Sequence, residues 1–235
     1  MTADQQDVLA LPLWINGHAY LTMADAFFDV INPQTGAILR RTPLCGADAA
    51  GKAVAAAQGA LPGWALVADS ERAAMLLSIA EMLEGYAAHF AALIVAETGK
   101  DETAANAEVA AAVALLRQSA AFEALAGAVV AVVNDDGEPL LGLLALAIPA
   151  LLAGCVVVAK PSPKAPSAAF AFAELTARAG LPAGVFNIVQ GDLEAIEGLC
   201  AQPDVARLAF AGDAVLVEKV RAVALRHGKA FVSRG

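Results

Sequence analysis

The sequence predicts an α/β fold, a doubly wound (Rossmann-like) parallel sheet with an amino-terminal helical layer and short strands. Three observations carry this. The second half of the chain alternates apolar, β-branched runs of strand length with helix-length segments, the pattern of βαβ units with right-handed crossovers. The runs 155–159, 185–189 and 205–211 are almost continuously apolar, as strands buried on both faces must be. Hydrophobic residues make up 59% of the 235 residues and charged residues 17%, which suits a packed core and argues against disorder.

The elements follow in order. Residues 13–20 are expected to form a short strand pair around the turn Asn16-Gly17. Residues 28–31 form a second strand, 32–36 a turn, and 37–41 continue the same sheet. Asp48 is placed to cap a helix reaching about Ala60, with Pro62-Gly63 as its stop. Asp69 or Ser70 caps the next, on which Met75, Leu76, Ile79, Met82, Leu83 and Tyr86 fall on one stripe that core packing explains. Helices are expected over 87–97 and over the alanine-rich 101–119. A strand at 127–133 leads into the acidic turn 134–139. A helix at 140–153 is broken by Gly154, and the strand 155–159 ends in Lys160-Pro161-Ser162. A helix from Ser167 to about Ala179 stops at Gly180-Leu181-Pro182, and the strand 185–189 ends at Gly191. Helix 193–200, strand 205–211, helix 214–226 and a short strand at 230–233 complete the chain, read as a single domain over 1–235.

Composition excludes several function classes. The formal charge is −9 and no basic run occurs, so nucleic acid is not an expected partner. Cys45, Cys155 and Cys200 are widely spaced and odd in number, which reads as reduced core thiols in a cytoplasmic protein. No Cys/His group has zinc spacing, and His18, His89 and His227 are scattered, so no metal is expected. The uncharged run 140–159 is long enough to cross a bilayer, but Pro149, Gly154 and its β-branched tail favour a buried helix–strand pair; no membrane association is expected. The opening MTADQQDV lacks the basic start of a signal peptide.

Five tags, in order, carry a resemblance: Trp14-Ile15-Asn16-Gly17, Asn32-Pro33-Gln34-Thr35-Gly36, Glu97-Thr98-Gly99-Lys100, the stretch AGCVVVAKPSPKAPSA with GLPAGVFNIVQGD, and Leu208-Ala209-Phe210-Ala211-Gly212. Together they resemble the amino-terminal, nucleotide-binding half of the aldehyde dehydrogenase superfamily. The resemblance implies a cofactor site, NAD or NADP, at the carboxyl ends of the strands, with Lys160, Ser162, Gly191 and Gly212 as its remnants. Lys160 matches the family lysine that binds the cofactor ribose; a solvated loop lysine is the alternative. Pro163 stands where the family has a ribose-binding glutamate. Asp213 replaces a serine at the turn facing the pyrophosphate. An aspartate there is a good helix cap, but at ~5 Å and an effective dielectric of ~20 it repels a phosphate charge by on the order of 3 kcal/mol, roughly a hundredfold in affinity.

Aldehyde oxidation needs a thiolate, an oxyanion donor and a general base. The family's thiol belongs to a second domain beyond Gly235, expected here to be absent. Gly137 falls where the oxyanion asparagine should lie, and Leu225 takes the glutamate's place when Leu225-Arg226-His227-Gly228-Lys229 is matched to the family's general-base motif. No catalytic residue and no bound cofactor are therefore expected. The reading is a degenerate, catalytically silent subunit with a structural or assembly role; a component retaining a residual NAD(P) site is the alternative. The apolar composition further leads one to expect a homo-oligomer or a partner protein, a full-length aldehyde dehydrogenase or an enzyme of the same pathway, with 127–133 as an edge strand for joining it.

Overall fold

The computed structural model describes residues 8–118 and 127–234. The sheet has seven strands in the order β2-β1-β7-β6-β5-β8-β9. The amino-terminal pair β1 (Leu13–Ile15) and β2 (His18–Tyr20) is antiparallel and joins through Trp14 opposite Ile188. Asn16 and Gly17 make the tight turn between them, both with positive φ. The remaining five strands are parallel: β5 (Val129–Asn134), β6 (Val156–Lys160), β7 (Phe186–Ile188), β8 (Val205–Ala211) and β9 (Ala230–Arg234).

Winding fixes the layers. From β5 the chain passes through α5 (Leu141–Leu152) to β6 and α6 (Ser167–Arg178) to β7. It then returns through α7 (Leu193–Ala201) to β8, on the other side of β5, and through α8 (Ala214–Arg226) to β9. Right-handed crossovers in opposite directions put α5 and α6 on one face and α7 and α8 on the other, with the switch point between β5 and β8. α1 (Ala47–Leu66) packs beside α7, while α2 (Asp69–Gly85), α3 (Ala87–Thr98) and α4 (Glu102–Gln118) cover α5 and α6.

Several local expectations are corrected. The strands β3 (Phe27–Ile31) and β4 (Ile38–Pro43) do not continue the main sheet; they pair with each other as a separate two-stranded unit, which Ala10 joins through a single parallel bridge to Arg41. Pro62 lies inside α1 instead of ending it. The last turn survives the missing N–H because Trp64 is fully buried and its indole N–H donates to the carbonyl of Leu151 at 3.1 Å. Asp48 and Asp69 are not caps but first-turn residues. Asp48 pairs with Lys52, and Asp69 with Arg72. Arg72 is a buried cation the sequence reading did not single out; its guanidinium donates to the carbonyls of Leu152 and Val67 and so ties α1, α2 and α5 together. On the α2 stripe Leu76, Ile79 and Leu83 are buried, whereas Tyr86 is exposed.

Two corrections matter more. The strand expected at 127–133 is not an edge: β5 lies between β6 and β8 with all six of its residues buried, and among the described residues the edges of this sheet are β2 and β9. The run 140–159 is α5, a turn at Gly154 and β6, enclosed by the layers on either side; among the described residues no single helix is long and apolar enough to cross a membrane. All three cysteines are buried and outside any disulfide, and burial pushes the thiols of Cys45 and Cys200 up to about 11, so neither is a ready nucleophile at neutral pH.

Candidate functional site

The carboxyl ends of β5 and β8 open at the switch point onto a crevice of about 350 Å³, bordered by Asp135, Glu138, Gly142, Gly212, Asp213 and Arg234. Its organising group is Asp135, which follows β5 directly. One carboxylate oxygen accepts from the Gly137 N–H and the other from the Asp213 N–H, each at 2.8 Å. Gly212 permits this approach: its φ is +154°, and a Cβ there would come within 2.6 Å of the Asp135 carboxyl carbon. Asp213 caps α8, accepting from the N–H groups of Val215 at 2.7 Å and Leu216 at 3.0 Å. The Val215 and Leu216 amides at the start of α8, which would otherwise suit an anion, are thus met by Asp213, and the Asp213 amide before them by Asp135.

The end of β6 forms a second cluster. Lys160 is 3% exposed, so the alternative of a solvated loop lysine does not hold. Its ammonium donates to the Gly191 carbonyl at 3.0 Å, and burial lowers its pKa to about 8 against the opposing pull of Asp192. Ser162 is buried and donates to Asp136 at 3.1 Å. Gly191 serves packing: with φ +139°, an added Cβ would lie 2.7 Å from the Cys45 carbonyl oxygen. Gly191→Ala is therefore expected to cost about 3 kcal/mol in urea unfolding, from backbone strain and overpacking together; a change below about 0.5 kcal/mol would show that the two loops are not in this contact. The Pro163 carbonyl accepts from the Thr42 hydroxyl at 2.8 Å, joining this loop to β4. Of the four predicted site residues, Lys160, Ser162 and Gly191 come together here, and Gly212 belongs to the crevice cluster.

Of the three other helices that start at this end of the sheet, α5 and α6 are also capped by carboxylates of the chain, whereas α7 begins at Asp192 without a side-chain cap. Glu108 accepts from the Leu140 and Leu141 N–H groups at 3.0 and 3.2 Å and pairs with Lys100. Glu97 accepts from the Ser167 N–H at 3.0 Å and from its hydroxyl, and pairs with Arg40 at 3.1 Å. Burial raises the Glu97 pKa, opposed by the Ser167 bonds and by Arg40. The tag Glu97-Thr98-Gly99-Lys100 is therefore structural: its two charged residues serve helix starts. Sequence reading missed Asp135, Glu97 and Glu108 as caps because each acts on a helix or turn remote along the chain.

Leu225 and His227 lie at the far end of α8, a helix of 13 residues and hence ~20 Å long, from the crevice. Leu225 is exposed, and His227 bonds through Nε2 to Glu197 at 2.8 Å. Neither borders the crevice. Among the described residues no group of three or more His, Cys, Asp or Glu could hold a metal ion.

A doubly wound sheet with a crevice at its switch point defines the dinucleotide-domain class of α/β proteins. A model of the aldehyde dehydrogenase family matches residues 20–137 and 138–233, and the chain belongs to that family. It is 33% identical to lactaldehyde dehydrogenase of Escherichia coli (strain K12) over 237 residues, covering 92% of this chain and 50% of that protein. The crystal structure of lactaldehyde dehydrogenase from Escherichia coli superposes with a TM-score of 0.85 at 31% identity, covering 96% of this chain and 52% of the other. A mutant of aldehyde dehydrogenase C from Pseudomonas syringae, crystallised with NAD+ and octanal, gives 0.83 at 29% identity, covering 95% and 50%. The chain spans about half the length of the curated relatives it matches.

Proposed function

We propose that this chain is a catalytically silent aldehyde-dehydrogenase-like subunit with a structural or assembly role, binding either itself or a partner enzyme. The observation that carries the reading is the filled turn: the Asp135 carboxylate bonds the Gly137 and Asp213 amides, and Asp213 caps α8, where a dinucleotide's phosphates would need those donors. An NAD or NADP pyrophosphate does not fit these residues, since it would have to displace one carboxylate and tolerate the other. Lys160 adds to this, because its ammonium is enclosed and bonded to Gly191 instead of being offered to a ribose. Gly137 brings no side-chain donor to the place the resemblance assigns to an oxyanion asparagine, and this holds whatever sequence follows Gly235. The competing reading, a component with a residual NAD(P) site, draws on the position of the crevice and of Lys160.

Calorimetry with NAD and NADP decides between them. No binding up to millimolar cofactor is expected, and no NADH should form from a panel of aldehydes; low-micromolar affinity for either cofactor would overturn the proposal. Replacing both carboxylates, as Asp135→Ser with Asp213→Ser, should raise affinity by a hundredfold or so, and by less at high salt. An unchanged null result in a variant that still melts cooperatively would remove electrostatics as the obstacle.

A further inference from the structure

The last unit of the sheet differs in charge from the rest. Residues 214–235 hold five lysines and arginines (Lys219, Arg221, Arg226, Lys229, Arg234) against Glu218 alone, a net +4; since the chain totals −9, residues 1–213 carry −13. Arg226 pairs with Glu197 of α7, which still leaves the unit basic. This basic unit is α8 and β9, and β9 is a free edge of the seven-stranded sheet. The Gly212 N–H donates to the Arg234 carbonyl at 3.1 Å, which sets the phase of the ladder: Ala230, Val232 and Arg234 bond inward to β8. Phe231 and Ser233 therefore direct their N–H and C=O outward, where among the described residues no strand meets them. Phe231, under the Arg221 guanidinium at 5.1 Å from the ring centroid, and Val232, on the opposite face of the strand, are only half-buried, unlike the apolar residues of β5, β6 and β7.

We propose that β9 is a docking edge for an extended acidic segment of a partner protein, which adds as a further strand. Main-chain bonds to Phe231 and Ser233 would hold it, its side chains would complete the cover over Phe231 and Val232, and the basic unit would select its charge. Two copies pairing β9 to β9 would set one basic unit against another, so charge disfavours that occupant. This rests on the assembly reading above, but the test below reads β9 alone, so cofactor binding in the calorimeter would sink that reading without altering this result.

The probes are two fluorescein-labelled decapeptides, alternating Glu with Val and alternating Lys with Val, titrated into the protein and followed by anisotropy. The Glu/Val peptide is expected to bind at least about tenfold tighter at low salt, with the difference shrinking as salt rises. Ser233→Pro removes an outward N–H without touching the β8 ladder and should weaken that binding by about fivefold. Should that variant melt early, Arg234→Glu gives the second reading, with a loss of up to about fivefold expected. Equal binding of the two peptides, binding of neither, or affinity unmoved by these changes would overturn the proposal; charges that only keep the edge from pairing give the second of these outcomes. A dimer of the protein that Ser233→Pro dissolves would overturn it too, in favour of a second copy.

Discussion

Val132→Pro is expected to leave little folded protein at 25 °C. Val132 lies in the middle of β5, opposite Ala159 of β6 and Ala209 of β8, and is fully buried. A proline there has no N–H for whichever neighbour the valine served, and its ring cannot sit in a flat inner strand; the cost is about 3 kcal/mol or more before any lost packing. Against a domain stability of ~5–15 kcal/mol that takes most of the margin. Circular dichroism and urea titration measure it directly. A variant with the wild-type urea midpoint would mean that β5 is not inside the sheet. The same substitution at a true edge, such as Ser233 in β9, should change stability far less.

Lys160→Met is expected to stabilise the protein near neutral pH and to remove a pH dependence. The folded pKa of Lys160 is about 8, below the ordinary 10.5, because burial penalises the ammonium. Between those two values the unfolded chain binds more protons than the folded one, so this group's contribution to stability rises with pH across that window. Below pH 8 the full penalty is present, on the order of 3 kcal/mol, offset in part by the bond to Gly191, which is worth ~1 kcal/mol. The difference in unfolding free energy between Lys160→Met and wild type should therefore be largest at pH 6–7 and decline toward pH 10.5. Urea denaturation across that range reads it. A difference that stays flat with pH would mean that the amine is solvated in the folded protein.

The two substitutions mark where sequence reading ends. That 127–133 is a strand was legible from its β-branched run; that it is the central strand was not, because strand order is set by which way the chain winds after β7, and nothing in the strand itself records that turn. Lys160 at the end of β6 was equally legible, but its burial depends on Gly191 closing over it, held there by contact with Cys45 from another part of the chain. Asp213 could be read as a cap because a cap acts within three residues of itself. Asp135 could not be read as its partner, since 78 residues separate them.

By itself, then, the sequence determined what local chemistry can determine. Period, breakers and β-branched runs gave the α/β alternation, nearly every element and the family, since hydrophobic patterning and turn residues act over a few positions. Tertiary structure decided whatever depends on residues far apart in the chain: the separate β3–β4 pair, the survival of α1 past Pro62, the inner place of β5, and the place of β9 at the edge of the sheet among the described residues. It also decided the character of the crevice, because only folding brings Asp135 onto the amide of Asp213 and places a carboxylate where the amides of the turn would otherwise meet an anion.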